Sequence, residues 1–296
     1  MTFPRRELPR LNELLIPDDQ RKSTRKHLYN HIIDSYHLHL SMPAVTSSIH
    51  LPIATYPITW GDNSMPVLGL GRFGCVVKLG EDRVLKRPKT FPEIHDPDIS
   101  YINEANIICL ANEANVYKRL GRHDGIIQCF QTSSYSIELA FANQGDLFTY
   151  MQNNPRPTEA VIVDWIRSLA ETFAYIHSRR VVVEDIGLKN ILVHNNCLKL
   201  VDFGNSLLLP MDTDMECFCI QDITPRLEVL HLGCVFYSLA TWIEFKYDYI
   251  DPNHMLKPDQ CPKTAGIIGE SIILKCWTGG YASMESLKKD VKALLG

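Results

Sequence analysis

Six residues, Gly69-Leu70-Gly71-Arg72-Phe73-Gly74, constrain the fold of this chain more than any other stretch. Glycines at this spacing make a tight turn whose backbone N–H groups can approach an anion closely, because no Cβ intervenes. The segment after the turn decides which fold it belongs to. In a dinucleotide-binding unit a helix begins directly after the glycines. Here Cys75-Val76-Val77-Lys78-Leu79 is a short apolar run, and Arg83-Val84-Leu85-Lys86 opens another after a Gly-containing turn. With Val67-Leu68 in front, the pattern is an antiparallel meander, and the glycines sit between two paired strands. Taken alone such a turn is equally a plain β-turn. It gains chemical meaning from Lys86, which the next strand would set with its ammonium against phosphate oxygens cradled by the loop.

Downstream the period changes. Ala105–Leu120 carries Ala105, Ile108, Cys109, Ala114 and Tyr117 at helical spacing and ends at Gly121, a C-cap residue. Ile126–Phe130 and Tyr135–Phe141 read as two further strands. Thr158 is the expected N-cap of a long helix, with Glu159 in its first turn and Val161, Trp165, Leu169, Phe173 and Ile176 on one apolar face. Three more helices are expected over Leu227–Thr241, Ile267–Cys276 and Met284–Leu295. The fold class is therefore α+β, a small β-rich lobe followed by a larger α-helical lobe. Residues 1–55 stand apart as an N-terminal extension, with a basic run at Arg21–His27, a candidate helix over Lys26–Leu40 and breaks at Pro43 and Pro52. Residues 56–296 form the domain, divided near 140/141 into the two lobes.

The stretch Val182-Val183-Glu184-Asp185-Ile186-Gly187-Leu188-Lys189-Asn190 holds a carboxylate and, five residues on, an amide. Leu198-Lys199-Leu200-Val201-Asp202-Phe203-Gly204 then reads as a strand ending in a second carboxylate. An anionic group beside an attacking hydroxyl and hard oxygen ligands for Mg²⁺ are what phosphoryl transfer requires. Either motif alone arises by chance; both behind a glycine loop and a strand lysine form a specific signal.

From Leu68 to Leu295 the chain resembles the protein kinases, in the manner of the divergent members found in filamentous fungi. The resemblance implies ATP and Mg²⁺ as cofactors. Gly69, Leu70, Gly71, Arg72, Phe73, Gly74 and Val76 would cover the nucleotide, with Phe73 at the loop tip. Lys86 would hold the phosphates and pair with a helical glutamate, for which Glu113 is preferred over Glu104. Backbone atoms from Ala140 to Ala142 would hold adenine, and Leu192 would belong to the same ATP site. Asp185 would act on the acceptor hydroxyl, Lys189 would neutralise charge on the transferring group, and Asn190 and Asp202 would bind metal.

Three departures matter. Val183 and Glu184 stand where the family has histidine and arginine. A glutamate repels the activation-loop phosphate that the arginine normally receives, so control by such a phosphate at Ser206 or Thr213 is not expected. Gly187 replaces a lysine, which leaves Lys189 as the cation of this loop. Only 23 residues (205–227) lie between Gly204 and Glu228, and Thr224-Pro225-Arg226 replaces the usual Ala-Pro-Glu. The arginine that pairs with that glutamate is also missing after Trp277, where Thr278-Gly279-Gly280-Tyr281 stands, so neither charge is left unpaired.

Composition narrows the rest. With 45% hydrophobic and 22% charged residues, wholesale disorder is not expected. A net charge of −4 points away from nucleic-acid binding. Nine scattered cysteines read as reduced, buried thiols of an intracellular, cytoplasm-like compartment. No membrane span, signal peptide or myristoylation site is expected. The function read from these residues is a protein kinase acting on a protein hydroxyl, of Ser/Thr type. The alternatives are an ATP-binding pseudokinase scaffold and a small-molecule kinase of the aminoglycoside or choline type.

Overall fold

The computed structural model describes residues 65–91, 97–219, 224–246 and 261–295. The expected extension over residues 1–55 lies outside them.

Five antiparallel strands form the N-terminal sheet: β1 (Val67–Leu70), β2 (Gly74–Lys78), β3 (Arg83–Pro88), β4 (Cys129–Thr132) and β5 (Ile137–Ala140), in the order β1-β2-β3-β5-β4. The register sets Lys86 opposite Val76 on one side and Ile137 on the other, so the lysine lies mid-sheet behind the glycine turn. Gly71 N–H donates to Gly74 carbonyl at 2.8 Å and closes that turn. A Cβ on Gly74 would come within 2.9 Å of the Arg87 carbonyl, so the close approach of β2 to β3 requires glycine there.

Helix α1 (Pro97–Leu120) begins well before the expected Ala105. Its opening turns bury little: Tyr101 and Glu104 are exposed, so no apolar period announces them. Asn103 ties them down, its side chain bonding both the N–H (2.7 Å) and the carbonyl (2.8 Å) of Phe91. The far end behaves as expected: Gly121 takes φ +63° and its N–H donates to Tyr117 carbonyl at 2.9 Å. Of the expected apolar set on this helix, Ile108 is only half-buried.

The expected strand over Ile126–Phe130 divides. Ile126 forms a parallel bridge with Leu200, and Ile127 N–H donates to Leu200 carbonyl at 3.0 Å. Those two buried isoleucines therefore belong to the junction with the helical region, and only Cys129 onward joins the sheet. The second expected strand shortens to Ile137–Ala140.

The C-terminal region holds α2 (Leu147–Asn153), α3 (Glu159–Ser178), α4 (Pro225–Thr241), α5 (Glu270–Thr278) and α6 (Met284–Leu295). The last matches its expected span. Helix α3 is the core element, burying Ile162, Trp165, Ile166, Leu169, Phe173 and Ile176, while Val161 is only half-buried. Thr158 precedes α3 in extended conformation but makes no side-chain cap bond. Asp146 does cap α2, accepting from Thr149 N–H at 2.9 Å. Two small ribbons carry the loops of interest: β6 (Val181–Val182) pairs with β9 (Leu207–Leu208), and β7 (Ile191–His194) with β8 (Cys197–Leu200). The protein thus has the two-lobe kinase fold, with a β-sheet N-terminal region and a helical C-terminal region. All nine cysteines are free, but only Cys109, Cys234 and Cys276 are buried, and Cys197, Cys217 and Cys219 are exposed, which corrects the expectation of buried thiols.

Candidate active site

A cleft of about 690 Å³ opens beneath the glycine turn, against β3, α1, the stretch after β5 and the loops around β7 and β8. Every site residue expected from the sequence lines it. Gly69, Leu70, Gly71, Arg72, Phe73, Gly74 and Val76 form one wall; Lys86 and Glu113 form the back; Ala140 and Ala142 form the edge. Asp185, Lys189, Asn190, Leu192 and Asp202 come from the opposite side.

Lys86 is the hub. Its Nζ lies 2.6 Å from Glu113 Oε2 and 2.7 Å from Asp202 Oδ1, with Glu113 fully buried and Asp202 half-exposed. Glu104, the competing partner, is exposed and forms no ion pair among the described residues. Burial pushes the Lys86 ammonium toward deprotonation, but the charges of Glu113 and Asp202 outweigh it and hold the group above its ordinary value. The lysine stays a cation. Asp202 takes φ +63°, a left-handed conformation that is uncommon outside glycine and that aspartate and asparagine tolerate best. Phe203, next in sequence, is fully buried and meets Tyr117 of α1 edge-on, ring centroids 5.2 Å apart.

Asn190 and Asp185 share one loop. Asn190 Nδ2 donates to Asp185 carbonyl at 3.0 Å, which directs the Asn190 Oδ1 elsewhere. Asp185 is exposed. The Lys189 ammonium lies 5.1 Å from the centre of the Phe148 ring, a cation–π contact that steers the side chain along α2. The loop itself is hung from α4. Buried Glu228 accepts from Val183 N–H at 2.7 Å through Oε1 and bonds His177 Nε2 at 2.6 Å through Oε2.

Glu184 is the odd member. It takes φ +65°, and burial, then the nearby Asp185 and Glu228, push its carboxyl up to about 7. The replaced Ala-Pro-Glu also has a structural answer. The Arg226 guanidinium packs over Gly279, at φ +74°, where a Cβ would collide with its Nη2. An exposed cation facing a glycine thus stands where the family has a charge pair, whose loss the sequence led us to expect.

Sequence reasoning missed three contributors. Asn112 Nδ2 donates to both Gly204 carbonyl (3.0 Å) and Ser206 carbonyl (2.8 Å). Ser206 is buried, its Oγ donating to Val183 carbonyl at 3.3 Å. His177 braces Glu228. Asn112 and Ser206 act through backbone carbonyls and His177 through the Glu228 carboxylate, contacts for which the sequence carries no pattern; the position of Asn112 directly before Glu113 was the one available hint.

The family model for the protein kinase domain matches residues 63–241, more than half of the chain. The chain belongs to the protein kinase family. It is similar to the human serine/threonine-protein kinase Nek11, 23% identical over 269 residues that cover 80% of this chain and 41% of that protein. It is also similar to human NUAK family SNF1-like kinase 1, at 28% over 208 residues covering 64% of this chain and 31% of that protein. The epidermal growth factor receptor of Apis mellifera is 23% identical over 254 residues, 75% of this chain and 19% of the receptor. The match therefore spans less than half the length of each of these relatives. Among the described residues no helix is long and apolar enough to cross a membrane.

Proposed function

We propose that this chain is an ATP- and Mg²⁺-dependent protein kinase that phosphorylates serine or threonine hydroxyls. The observation that carries the reading is the Lys86 ammonium held between Glu113 at 2.6 Å and Asp202 at 2.7 Å, at the back of a cleft walled by a glycine turn. A cation fixed at that point, facing backbone N–H groups, is what a polyphosphate requires. At the edge, the Ala142 N–H has no backbone partner among the described residues and is free to bond a base.

The donor set also fits Mg²⁺. Asp202 offers a carboxylate and Asn190 an amide oxygen, and among the described residues no cluster of three His, Cys, Asp or Glu side chains could hold a metal by itself. Few protein ligands suit an ion that keeps waters and shares phosphate oxygens. Bound Mg²⁺ supplies neutralisation of charge across those oxygens. The chain's own part is to hold Asp202 and Asn190 in register, to orient the acceptor hydroxyl and take its proton at the Asp185 carboxylate, and to bring the Lys189 ammonium to the transferring group. The serine/threonine preference is supported by the name of Nek11, a serine/threonine-protein kinase. The substrate is a protein, and the extension over residues 1–55 is a separate element from the catalytic domain.

The test compares the purified chain with an Asp185→Asn variant for transfer of labelled phosphate from ATP to a generic protein. Transfer by the wild type, reduced about a hundredfold or more in the variant, is expected. Equal transfer by the two sinks the enzymatic reading. Thermal stabilisation by ATP and Mg²⁺ without transfer would make the chain a nucleotide-binding scaffold.

A further inference from the structure

We propose that Asn112 is a positioning residue that ties the Glu113 helix to the Asp202 segment, so that the two carboxylates around Lys86 move as one unit. This rests on the nucleotide reading of the cleft but is argued from contacts that exist without any ligand. Both amide hydrogens of Asn112 are spent on one target, the Gly204 carbonyl at 3.0 Å and the Ser206 carbonyl at 2.8 Å. Those carbonyls follow Asp202, whose φ of +63° is a less populated conformation that contacts from outside the segment help to hold. Successive residues on a helix diverge by roughly a quarter-turn, so Glu113 can reach β3 while Asn112 reaches the segment from the same turn.

Three polar links thus close a triangle: Lys86 to Glu113 at 2.6 Å, Lys86 to Asp202 at 2.7 Å, and Asn112 to the segment. The Lys86 to Asp202 bond is the temporary side. Both groups are wanted by the phosphates and the metal, and once they turn to them, Asn112 is the link nearest Asp202 among those that α1 makes to the segment, the others running from Cys109 to Asn205 and from Arg119 to Leu209. Around it the segment is fixed by further bonds to backbone carbonyls and by strand pairing. Ser206 Oγ donates to Val183 carbonyl, Arg119 donates to Leu209 carbonyl at 2.7 Å, and Leu207 and Leu208 pair with Val182 and Val181. Backbone carbonyls accept most of these bonds, so the segment is ordered without a phosphate, which agrees with a glutamate at position 184.

The experiment uses the full chain with Asn112→Ala and with Asn112→Asp, which keeps the volume but turns a carboxylate toward two carbonyls. Amide hydrogen exchange, measured without nucleotide, is expected to accelerate about tenfold or more over Ser206–Leu209 in both variants while β7 and β8 keep wild-type rates. In the transfer assay kcat is expected to fall about tenfold or more while KM for ATP stays within about threefold, the split that separates positioning from binding or general stability. Unchanged exchange over Ser206–Leu209 overturns the proposal whatever the activity. Faster exchange with wild-type kcat overturns it as well. If the wild type transfers no label, the kinase reading fails on its own account, and the tie stands or falls by exchange alone.

Discussion

Glu113 and Glu184 are two carboxylates beside the same cleft, one fully buried and one half-buried, and among the described residues only the first has a cation for a partner. Glu113 meets an ammonium at 2.6 Å on the side where β3 and α1 face each other. Glu184, directly before Asp185 in the loop, forms no ion pair among the described residues and has Asp185 and Glu228 as its charged neighbours. On the first side burial still raises the Glu113 carboxyl above its ordinary value, but the Lys86 charge works against that rise and is itself held as a cation. On the second side burial is expressed as a displaced titration, with the carboxyl pushed up to about 7. One half of the site is thus built around a fixed charge pair, while the other holds a lone carboxyl whose titration is moved up toward neutral pH.

The severest way to break the comparison is to remove the partner on the paired side. Lys86→Met keeps the length of the side chain and leaves Glu113 buried without a counter-charge. Truncating one member of a buried pair costs about 3–5 kcal/mol, and the loss here is expected toward the lower end because Asp202 is half-exposed and can turn to water. Urea unfolding measures it. Phosphate transfer is expected to vanish in the same variant, since the cation facing the phosphates is gone; a variant that still transfers at the wild-type rate would remove Lys86 from the site.

The unpaired side gives a pH signature with a definite sign. Glu184 ionises near 4.5 in the unfolded chain and at about 7 in the folded one. Between those values the folded protein holds a proton that the unfolded chain has released, so stability falls as pH rises through the window. Below it both states are protonated and the penalty disappears; above it the penalty is complete. The displacement corresponds to a penalty of about 3 kcal/mol. Glu184→Gln is expected to be more stable than wild type by up to that amount at about pH 8, with the gap mostly closed at about pH 5. Parallel urea curves at the two pH values check this, and a gap that is constant with pH would deny the displaced titration.

Much of the paired side was legible in the sequence because each of its residues is demanded by chemistry that few other residues can perform. Lys86, Glu113 and Asp202 are far apart in the chain, yet each sits in a motif whose neighbours announce it, and the phasing of α1 favoured Glu113 over Glu104. What stayed hidden was set by contacts that leave no period. The first turns of α1 are exposed, so its start at Pro97 could not be read from apolar spacing. Ile126 and Ile127 look like sheet residues, and only the long-range bridge to Leu200 shows that they serve the junction instead. Thr158 and Asp146 are both good N-cap types, but only Asp146 makes the cap bond, to an N–H that sequence cannot locate. Asn112 escaped for the same reason, since an amide bonding two carbonyls has no signature in composition or spacing.

The mildest test sharpens the comparison from its other end, with a charge that has neither burial nor, among the described residues, a charged partner. Arg226 is exposed and lies over Gly279, and it forms no ion pair among the described residues. If burial and pairing are what make a charge matter here, Arg226→Ala should change stability by less than about 0.5 kcal/mol. Gly279→Ala should cost about 1 kcal/mol, because φ of +74° disfavours any side chain. Its collision with Arg226 adds little, since the colliding atom is the free end of a flexible side chain that can swing into water. The double variant separates these causes. Additive losses mean that the backbone conformation carries the cost. A double variant as stable as Arg226→Ala alone would mean that the guanidinium was the obstacle, and that this exposed cation is held in place as firmly as the buried one at Lys86.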